Sequence, residues 1–223
     1  MLKQSSLDFL SELRNHNVKE WFDQNRGRYL DAKADVEQFA AAVLLSLSQV
    51  DPDLSLLRAK DCIFRINRDI RFSTDKTPYK NNMGFWMNKG GKKSPTAGYY
   101  VQIEPGGKSF IAAGIYSPLP PDLKKVRTEI LYGFDAFQSI IQGPIFSTHF
   151  PSIEFEGQKT VRVPQGFDPA HPSAEFLKFK SYVGTKPISD SALVSSTAVK
   201  HIVEVLGAAA AFVHFINQAF EIN

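Results

Sequence analysis

Residues 65–82 read RINRDIRFSTDKTPYKNN, setting Arg65, Arg68, Arg71, Lys76 and Lys80 among Asp69, Asp75, Phe72, Pro78 and Tyr79. Guanidinium forks bind carboxylate or phosphate bidentately, and ammonium groups add compact positive charge. If 63–72 is extended, strand alternation places Arg65, Asn67, Asp69 and Arg71 on one face. Phe64, Ile66, Ile70 and Phe72 then lie on the other, and Arg68 alone breaks the apolar side. Thr77 is pushed toward an extended conformation by Pro78, so FSTDKTPYKNN reads as a structured turn that carries Lys76, Tyr79 and Lys80 toward the polar face. The chemistry of such a set is capture of an anion. Arg65, Arg71, Lys76 and Lys80 would hold it, with Tyr79 as hydrogen-bond donor and Asp69 as orienter or general base; Arg68 and Asp75 complete the candidate ligand-binding set.

The positive charge of the chain is local. Arg58 to Lys93 carries ten basic and three acidic residues, +7, which leaves −4 for the rest of a chain whose total is +3. That total is too small to argue for nucleic acid. Three readings compete. The first is a small anionic, phosphate-bearing ligand, with or without catalysis. The second is a nucleic-acid module, in which Lys89, Lys92 and Lys93 join the patch and exposed aromatics stack on bases. Alternation would bury one residue and expose the other in each of the pairs Phe85–Trp86 and Tyr99–Tyr100. The third is a structural or protein-interaction domain whose charges form a folding network inside the turn. Against all of them stands the plain alternative of a solvated sheet face, whose ion pairs are worth only about 0–1 kcal/mol. The anionic ligand ranks first.

Other chemistries lack their residues. GGKS at 106–109 ends like a phosphate-binding loop, but that pattern needs Gly at 102, where the chain has Gln102. The five histidines show no H-x-x-x-H or H-E-x-x-H spacing, and there is no G-x-S-x-G elbow. Asp69 and Asp75 could pair around Mg²⁺, yet their cationic neighbours make them counterions, so neither metal nor cofactor is expected. The single Cys62 fits a reducing compartment. The start, MLKQSSLDFLSELRNHN, lacks a signal-peptide core, which gives a cytoplasmic expectation. The uncharged run 205–220 is shorter than a membrane span and contains His214, Asn217 and Gln218, so it is expected as a buried helix.

The elements that must position these residues follow from periodicity. Apolar residues from Trp21 to Leu47 recur at threes and fours, predicting one long helix or two, with a break at Gly27. CIFRINRDI, MGFWMNK, GYYVQIE and SFIAAGIY read as strands, with Gly-rich turns at 90–93 and 105–108. Pro120, Pro121 and Asp122 open a helix through Tyr132, and GFDAFQSIIQG gives another. Proline-broken residues 144–190 yield only a short hairpin at FEGQKTVRV and a helical turn at SAEFLKFK. Residues 189–222 are helical, with a break near Gly207. The whole predicts one α+β domain over 1–223, its antiparallel sheet at about 61–116 packed by N-terminal and C-terminal helices.

LDFLSELRNHNVKEWFDQNRGRYLDAKADVEQF, IFRINRDIRFSTDKTPYKNN and GYYVQIEPGGKSFIAAGIYSP together resemble the bacterial and fungal domain-of-unknown-function 2461 family. That family shares an Asn-x-x-x-Trp-Phe element, matched by Asn17, Trp21 and Phe22. It also shares Arg-Asp-x-Arg-Phe-Ser-x-Asp-Lys-x-Pro-Tyr-Lys, matched by Arg68, Asp69, Arg71 to Ser73, Asp75, Lys76 and Pro78 to Lys80. The resemblance covers at least residues 7–118. It implies a single α+β domain and supplies no reaction.

Overall fold

The alternating runs form a sheet, but it begins later than residue 61 and takes its last strand from an unexpected place. In the computed structural model, which describes residues 1–221, β1 (Met83–Asn88), β2 (Gly98–Ile103) and β3 (Phe110–Ile115) make a meander. β4 (Tyr182–Pro187) pairs with β3, giving the antiparallel order β1-β2-β3-β4. Helices precede, interrupt and follow the sheet: α1 (Gln4–Asn15), α2 (Lys19–Gln24), α3 (Arg26–Leu47), α4 (Ala59–Cys62), α5 (Pro120–Tyr132), α6 (Phe134–Gln142), α7 (Pro144–Ser147), α8 (Ala174–Leu177), α9 (Asp190–Val194), α10 (Ala198–Ala208) and α11 (Ala210–Gln218). The fold is α+β.

Period-two alternation sorts the sheet into two chemically distinct faces. Phe85, Met87, Tyr99, Val101, Ile111 and Ile115 are buried on the inner face, where α3, α10 and α11 bring Val36, Phe39, Val43, Ile202, Phe212 and Ile216 into one continuous apolar core. Trp86, Tyr100, Gln102 and Phe110 lie on the outer face and are only half-buried. One aromatic of each neighbouring pair is therefore buried, as alternation predicts. At Gly114 the chain has φ +130°, and an added Cβ would stand 2.0 Å from the Tyr182 carbonyl oxygen, so β3 and β4 approach only because this residue is glycine.

CIFRINRDI is not a strand. Cys62 closes α4, and residues 63–82 pair only at Ile63 with Phe85 and at Asn67 with Tyr79. The backbone N–H of Arg68 donates to the Pro78 carbonyl at 2.9 Å, and that of Lys80 to the Ile66 carbonyl at 2.8 Å. The segment thus closes on itself beside β1 instead of extending the sheet. The break expected at Gly27 falls at Asn25, whose side chain donates to the Trp21 carbonyl at 2.9 Å. The C-terminal break falls at Ala209, where α10 and α11 bend by 44°. No single described helix is long and apolar enough to cross a membrane. FEGQKTVRV does not form its own hairpin: Lys159 bridges to Phe179, and Glu154 just before it bridges to Tyr182.

Candidate functional site

The charged segment spends much of its charge on itself. Arg68 Nη1 donates to the Asp75 carboxylate and the Thr77 hydroxyl, while Asp75 Oδ1 accepts the Thr77 backbone N–H at 2.9 Å. The Thr77 N–H, then Arg68, then the Thr77 hydroxyl hold the Asp75 carboxyl at about 2. Arg71 grips Asp69 with Nε at 2.9 Å and Nη2 at 2.7 Å, an exposed pair that lowers the Asp69 pKa. Lys76 Nζ donates to the Ile70 carbonyl at 3.0 Å. Between these pairs Phe72 is 96% exposed at the loop tip.

Tyr79 is anchored from the N-terminal helices. Asn17 Nδ2 donates to the Tyr79 carbonyl at 2.9 Å and to Asn81 Oδ1 at 3.0 Å, and Asn17 Oδ1 accepts the Tyr79 N–H at 3.0 Å. Phe22 stacks on the Tyr79 ring with centroids 3.9 Å apart, and Tyr79 keeps only 7% of its surface. Its neighbour Lys80 is thereby aimed at the other side, toward the outer face of the sheet.

That face forms the floor of a cleft of about 920 Å³. Trp86, Tyr100 and Ala112 are register partners across the floor, with Gln102 and Phe110 in the next row. The Tyr100 ring lies over Gly84, where a Cβ would stand 2.5 Å from the hydroxyl. That hydroxyl donates to Gln102 Oε1 at 3.2 Å, Gln102 Nε2 donates to Glu104 at 2.9 Å, and Arg14 closes the chain on Glu104 at 3.2 Å. Burial, with Glu104 second, pushes the Tyr100 phenol up to about 12. At the β1 edge Phe64 stands edge-on to Tyr100 at 6.1 Å, and the Lys80 and Lys92 ammonium groups each sit 5.5 Å from its ring centre. Lys92 also donates to the Ile63 carbonyl at 2.6 Å. The Lys80 ammonium has no hydrogen-bond or ion-pair partner among the described residues; desolvation, reinforced by Arg65, lowers its pKa. Of the candidates read from the sequence, the structure brings Lys80 to the cleft and leaves Arg65 exposed beside it. Arg68, Asp69, Arg71, Asp75 and Lys76 lie in the self-paired loop.

Residues 5–215 match the family described as conserved hypothetical protein DUF2461. The chain belongs to this family. No curated protein and no solved structure matches it. The two elements through which this DUF2461 chain shows its kinship are in direct contact: Asn17 and Phe22 of the first hold Tyr79 of the second. They are parts of one device that fixes the start of the cleft.

Sequence reasoning missed the other wall of the cleft. Tyr116, Asp122, Phe155 and Glu156 come together there from the residue after β3, from α5 and from the segment bridged to β4, and no local pattern links them. It also missed the pairing of His214 Nε2 with Asp51 at 3.0 Å. The same buried carboxylate accepts the Tyr99 hydroxyl at 2.7 Å and the Asp53 N–H at 3.2 Å. With the nearby Asp53, this set has the donor atoms for a metal ion, but the polar contacts of Asp51 already hold α11 to the end of α3. The GGKS turn presents its Gly106 and Gly107 amides to Asp190, at 2.8 and 3.3 Å, so a carboxylate of the same chain takes the place an anion would have.

Proposed function

We propose that this protein binds a small anionic, phosphate-bearing ligand in the cleft over the outer sheet face. The anion sits at Lys80 and Lys92, with Arg65 and Lys93 adding charge, and the body of the ligand lies on Trp86 and Tyr100. The observation that carries this reading is the half-buried Lys80 ammonium at the mouth of an aromatic-floored cleft, with no partner among the described residues. An unpaired, partly desolvated cation is costly, and an anion relieves that cost. The cleft volume falls within the range of small-molecule sites, and its lining of apolar body with few polar groups is what such sites present. In this reading Arg68, Asp75 and the Asn17 clamp keep the loop in the shape that delivers Lys80, while Asp69 and Arg71 balance each other outside the cleft.

The test is thermal shift and calorimetry with inorganic phosphate, sugar phosphates and nucleotides, on the wild type, Lys80→Ala and Arg71→Ala. Stabilisation by a phosphate compound should vanish in Lys80→Ala and persist in Arg71→Ala. The reverse pattern would move the site to the arginine loop, and an unchanged response in Lys80→Ala would sink the proposal. The Trp86–Tyr100 row on an open sheet face also favours a second reading, stacking of single-stranded nucleic acid. Short oligonucleotides belong in the same panel, and binding that falls steeply with salt would select that reading.

A further inference from the structure

The far wall of the cleft has the opposite chemistry to the near one. Tyr116, 59% exposed, meets Phe155 edge to face at 5.3 Å and 74°. Asp122 and Glu156 line the same wall, and neither carboxylate has an ion-pair partner among the described residues. Glu156 accepts only from Gln158 Nε2 at 3.4 Å, while the nearby Lys159 is engaged with Glu154 at 3.2 Å. Aromatic faces beside unpaired carboxylates attract an organic cation, through the ring quadrupole and through Coulomb attraction. The backbone is also held unusually here. Ser117 at φ 44° and Glu156 at φ 52° are the two non-glycine residues, among those described, in the left-handed region, and both line this wall. That conformation costs free energy for a residue with a side chain and collects at ligand-binding places.

The near wall belongs to the β1 edge of the sheet, and the Phe155–Glu156 part of the far wall to the β4 edge. Ile63 and Phe64 pair along β1, and Glu154 pairs along β4, so the flanking segments stand five strand spacings apart, about 24 Å from backbone to backbone at the ordinary spacing. The lining side chains reach inward from both, and the floor between them is Trp86, Tyr100 and Ala112.

We infer that the ligand of this cleft is an elongated dipolar molecule: an anion held at Lys80 and Lys92, an apolar middle on Trp86 and Tyr100, and an amine or quaternary ammonium seated between Tyr116, Phe155, Glu156 and Asp122. This rests on the anion reading above and adds the chemistry of the other end. A ligand of this kind is read by length as well as by charge, because its ends must reach both walls at once.

The experiment uses two series of synthetic probes of matched length, alkyl phosphates and ω-aminoalkyl phosphates with two-, six- and ten-carbon chains, titrated calorimetrically into the full chain. At the longer lengths the amine should tighten binding about five- to tenfold over the matched alkyl phosphate. At two carbons it should give no gain. In the Asp122→Asn, Glu156→Gln double variant the gain should disappear while alkyl phosphate binding is not weakened. An amine that gives no gain at any length, or a gain that survives in the double variant, overturns this inference and leaves the anion site standing. Failure of every phosphate to bind wild type overturns the anion reading and this inference with it.

Discussion

Asn17 uses both ends of its amide on the backbone of a residue sixty-two positions away. Asn17→Ala leaves the Tyr79 N–H and carbonyl without these partners, which should cost about 2–3 kcal/mol, measured by urea unfolding. Arg71→Ala removes only an exposed pair and should leave the unfolding midpoint in the same assay essentially unchanged. Lys80 gives a pH signature. Its pKa in the folded chain lies below that of the unfolded chain, so between the two values the unfolded state binds more protons, and the stability of the free protein rises with pH there. Anion binding needs the protonated form, so affinity for phosphate should fall through the same window, and titration calorimetry across alkaline pH checks it. At this scale the sequence was informative about identity and less so about pairing. It named Lys80 as one of five cations between residues 65 and 80 without setting it apart, and it did not show that Arg68 turns to Asp75. That partnership depends on a loop whose path is set by Asn17, far away in the chain.

Among the elements, the loop over 68–77 and the β3–β4 seam respond to different insults. The loop is closed by an ionised Asp75. Its contribution is fully present above 3.8, the carboxyl's ordinary value, and is lost as pH falls through about 2. The Thr77 amide resonance should titrate in that range. The seam depends on Gly114, and Gly114→Ala combines a positive φ with a clash against the Tyr182 carbonyl; a loss of about 3 kcal/mol or more is expected from thermal unfolding. Helices and the three-stranded meander were legible because apolar spacing is local: α5 begins and ends where Pro120 and Gly133 place it. The strand expected over 63–72 failed, and of its expected apolar face only Ile66 is buried while Phe64 and Phe72 are exposed. Residues 66–68 found their backbone partners in 78–80, and Pro78, with no N–H, suits a partner outside the sheet. β4 was hidden because its six residues include Gly184 and Pro187, and its pairing with β3 is a non-local choice that no short window records.

For the whole molecule, the positive charge of 58–93 proves to be spread over a self-neutralising loop, one edge of a cleft, and outlying groups such as Arg58 and Lys89 that pair with Asp61 and Asp53. Net charge alone could not have separated these, which is why the location of a site was less legible than the segment that carries it. The bridges that set Ile63 beside β1 and Glu154 beside β4 also cover part of each outermost strand, leaving less unpaired backbone at the borders of the sheet. An uncovered strand border is a template on which another chain can add itself. The fences of the cleft are thus also its guards against self-association. Damage that unseats either fence should open the cleft and start aggregation in a single step, so solubility becomes an indirect reporter of whether the cleft is intact.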